Sequence, residues 1–328
     1  MKKRKPSIAI AVLCLLMISA AKFAYAQGEN YPAKPVTIIT DAPPGSTPDV
    51  VARFVADGLG ASWRQQVVVV PRPGANGSAA ARTAADAAPD GYTLFMPSLS
   101  TFVAQKGIAP NIPLELPYDF LAVGFASENP MFAAVPPSLG VNSLAQLIAL
   151  AKARPGKISY AVTGVGRLTH LTGELLQREA GMRMLTVPYL GGPANAISDV
   201  IGGRVDMIIE GYSGIAASIR AGQLKPIAVA SIERLPEFPD LPAVAETIPG
   251  FSATGWQVLL APAGTPKMIV HWISSDLAQV VAKEEFRKKL AALGSYSRAM
   301  TGSETTRFVH GEQRKWNSVL EQIARTSK

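Results

Sequence analysis

The chain has 328 residues, 48% of them hydrophobic and 17% charged, which is enough apolar material for two packed domains and too much for a disordered chain. Its formal charge of +8 falls to +3 once residues 1–26 are set aside, because Lys2, Lys3, Arg4, Lys5 and Lys22 lie there and the rest holds 27 basic against 24 acidic residues. Charge therefore excludes itself as an argument for a nucleic-acid partner.

Residues 1–26 read as a cleaved secretory signal peptide. A basic start is followed by an apolar run over 7–21 and by Ala24-Tyr25-Ala26, with cleavage expected after Ala26. The run is shorter than the ~20 residues a membrane span needs. Cys14, the single cysteine, lies inside it after Leu13, which is no lipoprotein site. The expected product is soluble, periplasmic and free of disulfides.

Val36-Thr-Ile-Ile-Thr40 predicts a short buried strand, broken by Asp41-Ala-Pro-Pro-Gly45. A helix is predicted over 48–59 from Val50, Val51, Phe54, Val55 and Leu59. Then come a strand at 66–70, an Ala-rich helix at 78–88 and a strand at 92–96. This β-α-β-α-β order indicates a parallel sheet with covering helices. The pattern restarts with two strands, 121–126 and 132–135, then a helix at 144–153, a strand at 158–162 and a helix at 168–180. Alternation continues through 184–187, 194–201, 205–209, 215–220 and 226–230 to a strand at 257–261. Residues 266–326 are predicted to be nearly all helix. Two α/β blocks with terminal helices predict an α/β protein of two lobes with a cleft between them.

Two loops share one geometry. In Pro43-Pro-Gly-Ser-Thr-Pro-Asp49 and in Thr163-Gly-Val-Gly-Arg-Leu-Thr-His170 a strand passes through a Gly/Ser/Thr loop into a helix. Helix N-termini leave backbone N–H groups unpaired and carry partial positive charge, so each loop can cradle a carboxylate or a phosphate. Each can equally be an ordinary capped turn. Neither matches G-x-x-x-x-G-K-[ST] or G-x-G-x-x-G, which disfavours ATP and NAD. His170, His271 and His310 are far apart, with no metal-ligand spacing. His271 and His310 read as surface or packing residues. No serine sits in G-x-S-x-G. Trp256 reads equally as a ligand wall or as core.

Motifs spread along the chain resemble the solute receptors of tripartite tricarboxylate transporters, the Bug receptors. They include Pro43-Pro44-Gly45 with Asp49, Arg72-Pro73-Gly74, Ala88-Pro-Asp-Gly-Tyr-Thr-Leu94, Gly164-x-Gly166, His170-Leu171, Val187-Pro-Tyr189 and Ala261-Pro-Ala-Gly-Thr-Pro266. The resemblance implies a two-lobed periplasmic binding-protein fold of the type II kind. Residues 27–128 plus 254–328 would form one lobe and 129–253 the other. It implies no catalysis, no cofactor and no metal, a small organic carboxylate ligand, hinge closure, and delivery by a monomer to membrane permease subunits. It also implies that the two loops face one ligand. The expected binding residues are Gly45, Ser46, Thr47, Ser98, Thr163, Gly164, Gly166, Arg167, His170 and Glu210.

Departures from the family pattern bear on the ligand. Asp41 and Ala42 replace a Pro-Phe pair, Pro48 replaces a hydroxyl residue, Arg167 a small polar one, Leu190 a Lys and Glu210 an Asp. These changes predict extra room at Ala42, side-chain donation from Ser46 and Thr47, and a guanidinium suited to a carboxylate. The expected ligand is a dicarboxylate with a bulky apolar or aromatic body, of the terephthalate type. Asp41 and Glu210 would repel an anion unless paired or protonated, which keeps an amino-dicarboxylate open, with citrate a further alternative. A ligand-sensing co-receptor for a membrane kinase needs the same cleft, and an exported enzyme acting on carboxylates is the third reading.

Overall fold

β1 (Val36–Thr40) is flanked on both sides by parallel neighbours, β2 (Val67–Pro71) and β3 (Thr93–Met96). Parallel pairing needs crossovers, and α1 (Thr47–Trp63) and α2 (Ser78–Ala85) supply them. The computed structural model describes residues 31–74, 77–103, 115–190 and 192–326. The expected signal peptide lies outside them. Among the described residues, no helix is long and apolar enough to cross a membrane.

β4 (Phe120–Val135) is one 16-residue strand, not the two strands expected. Ser127-Glu-Asn-Pro130 reads as a polar break, but its backbone stays paired with β9 (Thr254–Pro262) through Ser127↔Gln257, Glu128↔Trp256, Asn129↔Gly255 and Pro130↔Thr254. Tertiary pairing overrides the local signal here. β9 also pairs antiparallel with β3, closing the first sheet. From Met131 onward β4 changes partners and joins β7 (Met207–Gly211) and β8 (Lys225–Val229), both antiparallel. β5 (Ser159–Val162) then pairs parallel with β7 and with β6 (Leu185–Pro188). The result is two sheets sharing one strand, in the overall order β2-β1-β3-β9-β4-β7-β5-β6, with β8 beside β4.

α3 (Leu99–Val103) follows β3; α4 (Leu144–Ala153), α5 (Leu168–Ala180), α6 (Pro193–Ile201) and α7 (Tyr212–Arg220) accompany the second sheet. The C-terminal run is α8 (Lys267–Ala282), α9 (Glu284–Ala291) and α10 (Gly302–Thr326). It is not continuous helix: Tyr296 lies between α9 and α10 and pairs antiparallel with Glu128 of β4. α8 packs on α1, and Leu277 and Val280 share one core with Val36, Ile38 and Val55. A separate core joins Phe132, Ala161, Val200, Ile208 and Ile215 around the second sheet. Fully burying such side chains contributes ~1.5–3 kcal/mol each, so each sheet has its own apolar anchor.

Candidate functional site

The carboxyl ends of β1 and β5 point toward one cleft, and each feeds a helix whose N-terminus opens there. On the first sheet, β1 runs through Pro43–Gly45 into α1. Gly45 N–H donates to Asp49 Oδ2 at 3.0 Å, and Arg53 binds the same carboxylate with two bonds. Asp49 is buried and turned into this local network, so it fixes the loop and does not line the cleft. On the second sheet, β5 runs through Thr163–Gly166 into α5. Thr169 Oγ1 accepts from Thr163 N at 3.2 Å, and His170 Nδ1 accepts from Gly166 N at 3.2 Å. Burial lowers the His170 imidazole below its ordinary pKa, with Glu174 opposing; the neutral ring serves as an acceptor that holds the turn.

The two sides touch. Thr47 Oγ1 and Ser213 Oγ are 2.6 Å apart, and Arg167 Nη2 donates to the Asp41 carbonyl at 3.2 Å. The cavity left between them is about 70 Å³, room for a handful of waters at roughly 10–15 Å³ each. Gly164, at φ +147, lets the Arg167 side chain fold back across it: a Cβ there would lie 2.9 Å from Arg167 Cδ. Pro43, Pro48, Leu99, Met131, Leu168 and Pro193 give apolar walls.

Glu210, at the end of β7, is the buried acid of the cleft. Its Oε1 accepts from Gly211 N at 2.9 Å and its Oε2 from Thr163 Oγ1 at 3.0 Å. Burial raises its carboxyl above the ordinary range, while those two hydrogen bonds and Arg167 oppose the rise. Asp41 behaves differently. It is fully buried and accepts from Ser98 N at 2.8 Å, Ser98 Oγ at 2.6 Å and Thr101 Oγ1 at 2.6 Å. It pins the start of α3 and offers nothing to an amine.

Of the expected residues, Ser46, Thr47, Ser98, Thr163, Arg167 and Glu210 line the cleft together. Gly45, Gly164, Gly166 and His170 are not among its lining residues; they shape the two turns behind it. The donation expected from Ser46 is spent within its own turn, since Ser46 Oγ donates to the Pro43 carbonyl at 2.6 Å, while Thr47 Oγ1 shares a hydrogen bond with Ser213 Oγ in which either hydroxyl can be the donor. The room expected at Ala42 is not cleft space: Ala42 is fully buried and its N–H bonds Thr40 Oγ1. Trp256 is 1% exposed and packs against Phe102 and Phe308, yet it also borders the cleft.

Sequence reasoning missed the floor. Asn129 of β4 and Gln257 of β9 line the cleft where the sheets change over. Asn129 Nδ2 donates to Gln257 Oε1, and Ser127 Oγ donates to the same oxygen at 2.9 Å. The signal available was the polar run Ser127–Asn129 beside the lobe boundary that the resemblance implied at 128/129, with Gln257 close to the second boundary at 253/254.

A family model described as the tripartite tricarboxylate transporter family receptor matches residues 51–325. Protein BugT of Bordetella pertussis (strain Tohama I) is 33% identical over 314 residues, spanning 95% of this chain and 96% of BugT. Among solved structures, R. palustris Rpa4515 with adipate is similar with a TM-score of 0.84 at 29% identity, over 90% of this chain and 98% of that one. MatC (Rpa3494) from Rhodopseudomonas palustris with bound malate has a TM-score of 0.79 at 26% identity, over 88% and 99%. With a two-lobed fold of the periplasmic binding-protein type and a cleft built from paired helix N-termini, the chain belongs to the tripartite tricarboxylate transporter receptor family.

Proposed function

We propose that this receptor captures a dicarboxylate with an apolar body in the closed cleft and hands it to membrane permease subunits, acting as a monomer in the periplasm. The observation that carries the reading is the position of Arg167. Its side chain lines a cleft with apolar walls, at the N-cap of α5 and opposite the N-terminus of α1. An incoming carboxylate can take over the guanidinium from the Asp41 carbonyl, gaining an ion pair with an anionic acceptor in place of a bond to a neutral one. The second carboxylate then falls to the polar floor of Asn129 and Gln257 or to the α1 N-terminus. Adipate and malate in the two similar structures are both dicarboxylates, which supports the class. Residues 27–128 plus 254–328 and residues 129–253 are the two moving lobes in this reading, with the changeover of β4 between them.

The test is calorimetric titration and thermal unfolding of the mature protein with adipate, malate, terephthalate, citrate, aspartate and matched monoacids. A ligand at ~1,000 times its Kd stabilises by ~4 kcal/mol, and a diacid is expected to raise the midpoint where a monoacid of equal length does not. Arg167→Ala is expected to weaken diacid binding ~10–100-fold, the value of a lost charge-assisted hydrogen bond. Wild-type affinity in Arg167→Ala would refute the reading. Terephthalate alone shifting the midpoint would favour an aromatic body; adipate alone, a flexible one.

A further inference from the structure

Among the described residues that line the cleft, Arg167 and Glu210 are the two ionisable side chains. They set a charge problem for any dianion. With Glu210 ionised, the cleft holds one positive and one negative charge before the ligand arrives, and closing on two carboxylates adds two negative charges in a space with little room for water. Like charges crowded into one buried site raise the pKa of one of them, which favours its taking a proton.

The surroundings of Glu210 say which one. The charged group that acts on it is Arg167 of α5. From the other elements it meets uncharged groups: Thr163 of β5, the Gly211 amide of β7, Gly214 of α7 and, beside it in register, Phe132 of β4. A ligand carboxylate that recruits Arg167 weakens one of the three interactions opposing protonation of Glu210, the others being the hydrogen bonds from Gly211 N and Thr163 Oγ1, and brings its own negative charge nearby. Both hydrogen bonds now made by Glu210 are acceptances, one on each oxygen. A carboxyl oxygen has two lone-pair directions, so a proton on either leaves that acceptance in place and supplies one O–H donor.

We infer that Glu210 takes up a proton when the cleft closes on a dicarboxylate and donates that O–H to the ligand, so that each dianion enters accompanied by one proton. The proton comes from solvent and is released when the ligand leaves; no other bond is made or broken. This makes Glu210 a specificity residue. It favours ligands that present an acceptor at this point and discriminates against an ammonium group, which would need the ionised acid. The inference rests on the receptor reading above, since it requires a dicarboxylate ligand.

The experiment is titration of the mature wild-type protein with adipate, malate and terephthalate at pH 7.5 in phosphate and in Tris, whose ionisation heats differ, with Kd also measured from pH 6 to 8. The expected result is uptake of about one proton per site in wild type and a Kd that rises by up to tenfold per pH unit, the ceiling for one coupled proton. Glu210→Gln, a neutral mimic of the acid, is expected to bind at pH 8 at least as tightly as wild type, with a flat pH profile and no proton uptake. Binding with no proton uptake in wild type overturns the inference and leaves the receptor reading standing. So does a binder such as aspartate that takes up no proton and loses more than tenfold affinity in Glu210→Gln. Failure of every dicarboxylate to bind wild type sinks both. Should Glu210→Gln fold poorly, the wild-type proton count alone decides.

Discussion

Gly211→Ala separates closure of the cleft from folding. Gly211 sits at φ −66 and ψ 146, a conformation open to any residue. A methyl group there would meet Met131 Cε at 3.9 Å, ordinary contact. It would also lie 2.2 Å from Thr47 Oγ1 and 3.0 Å from Thr47 Cβ, atoms that reach it from α1 across the cleft. Relief needs more than an ångström of retreat by a residue at the start of a helix. Overpacking of this kind costs ~1–3 kcal/mol, and here the cost falls on the closed form alone. Ligand binding that depends on closure should therefore weaken ~5–150-fold. Isothermal titration gives the affinity, and small-angle scattering with saturating ligand should show a more extended particle. The ligand-free thermal midpoint should stay within ~2 °C of wild type. Wild-type affinity in Gly211→Ala would refute the idea that the Thr47–Gly211 approach belongs to the binding-competent state. Gly255→Ala applies a milder crowding to the same cleft: its methyl would meet the flexible Leu168 Cδ2 at 2.9 Å, with Asn129 O at 3.4 Å and Met131 Cε at 3.9 Å, and the expected loss is below about fivefold.

Three further outcomes test separate links. Asp41→Ala removes a buried carboxylate that accepts three hydrogen bonds from Ser98 and Thr101; a loss of ~3–5 kcal/mol is expected, lowering the midpoint by on the order of 10 °C, and a change under ~2 °C would show that the cluster is not structural. Glu210 has its folded pKa raised by burial, so the folded form binds more protons and wild type loses stability as pH rises from the ordinary carboxylate range through that raised value. Unfolding measured at pH 5 and pH 8 should move the midpoint difference in favour of Glu210→Gln at the higher pH. Gly164→Ala, at φ +147 with Arg167 Cδ in the way, should cost ~1–2 kcal/mol of stability and also weaken diacid binding; calorimetry showing loss of stability with unchanged affinity would dissociate Gly164 from the placing of Arg167.

Much of the framework is legible in local pattern. Val36–Thr40 is β-branched and bounded by Pro-Pro-Gly, and it forms a buried strand between two parallel neighbours. Leu144–Ala153 and Leu168–Ala180 begin and end where apolar periodicity and the flanking turns put them. What local pattern hides is pairing. The polar stretch Ser127–Pro130 is strand only because β9 lies alongside it, and residues 292–301 interrupt the C-terminal helices where Tyr296 finds Glu128. The site divides in the same way. Arg167 and Glu210 were legible as chemistry at strand and helix ends. His170, Gly45 and Gly166 share those loops but spend their polar groups holding the turns, and nothing in a linear motif says which way a side chain will face. Asn129 and Gln257 come from strands 128 residues apart in sequence, beyond the reach of spacing arguments.

The unbroken run of β4 through both sheets constrains how such a molecule can move. Strands β4 and β9 pass between the lobes as a hydrogen-bonded pair, and Tyr296 adds a third line, exchanging backbone bonds of 2.7 and 2.9 Å with Glu128. A ribbon laced in this way resists sliding and folding at a point, since either would break ladder bonds, whereas the twist between neighbouring strands ranges over roughly 10–35° with pairing kept. Opening of the cleft is therefore expected to be a torsion spread over the crossing residues, with the ladder kept intact. Amides of Glu128 and Tyr296 should exchange with solvent as slowly as those of the sheet centres, in the open and the closed receptor alike, and the polar floor of the cleft should rotate as one piece with the ribbon that carries it.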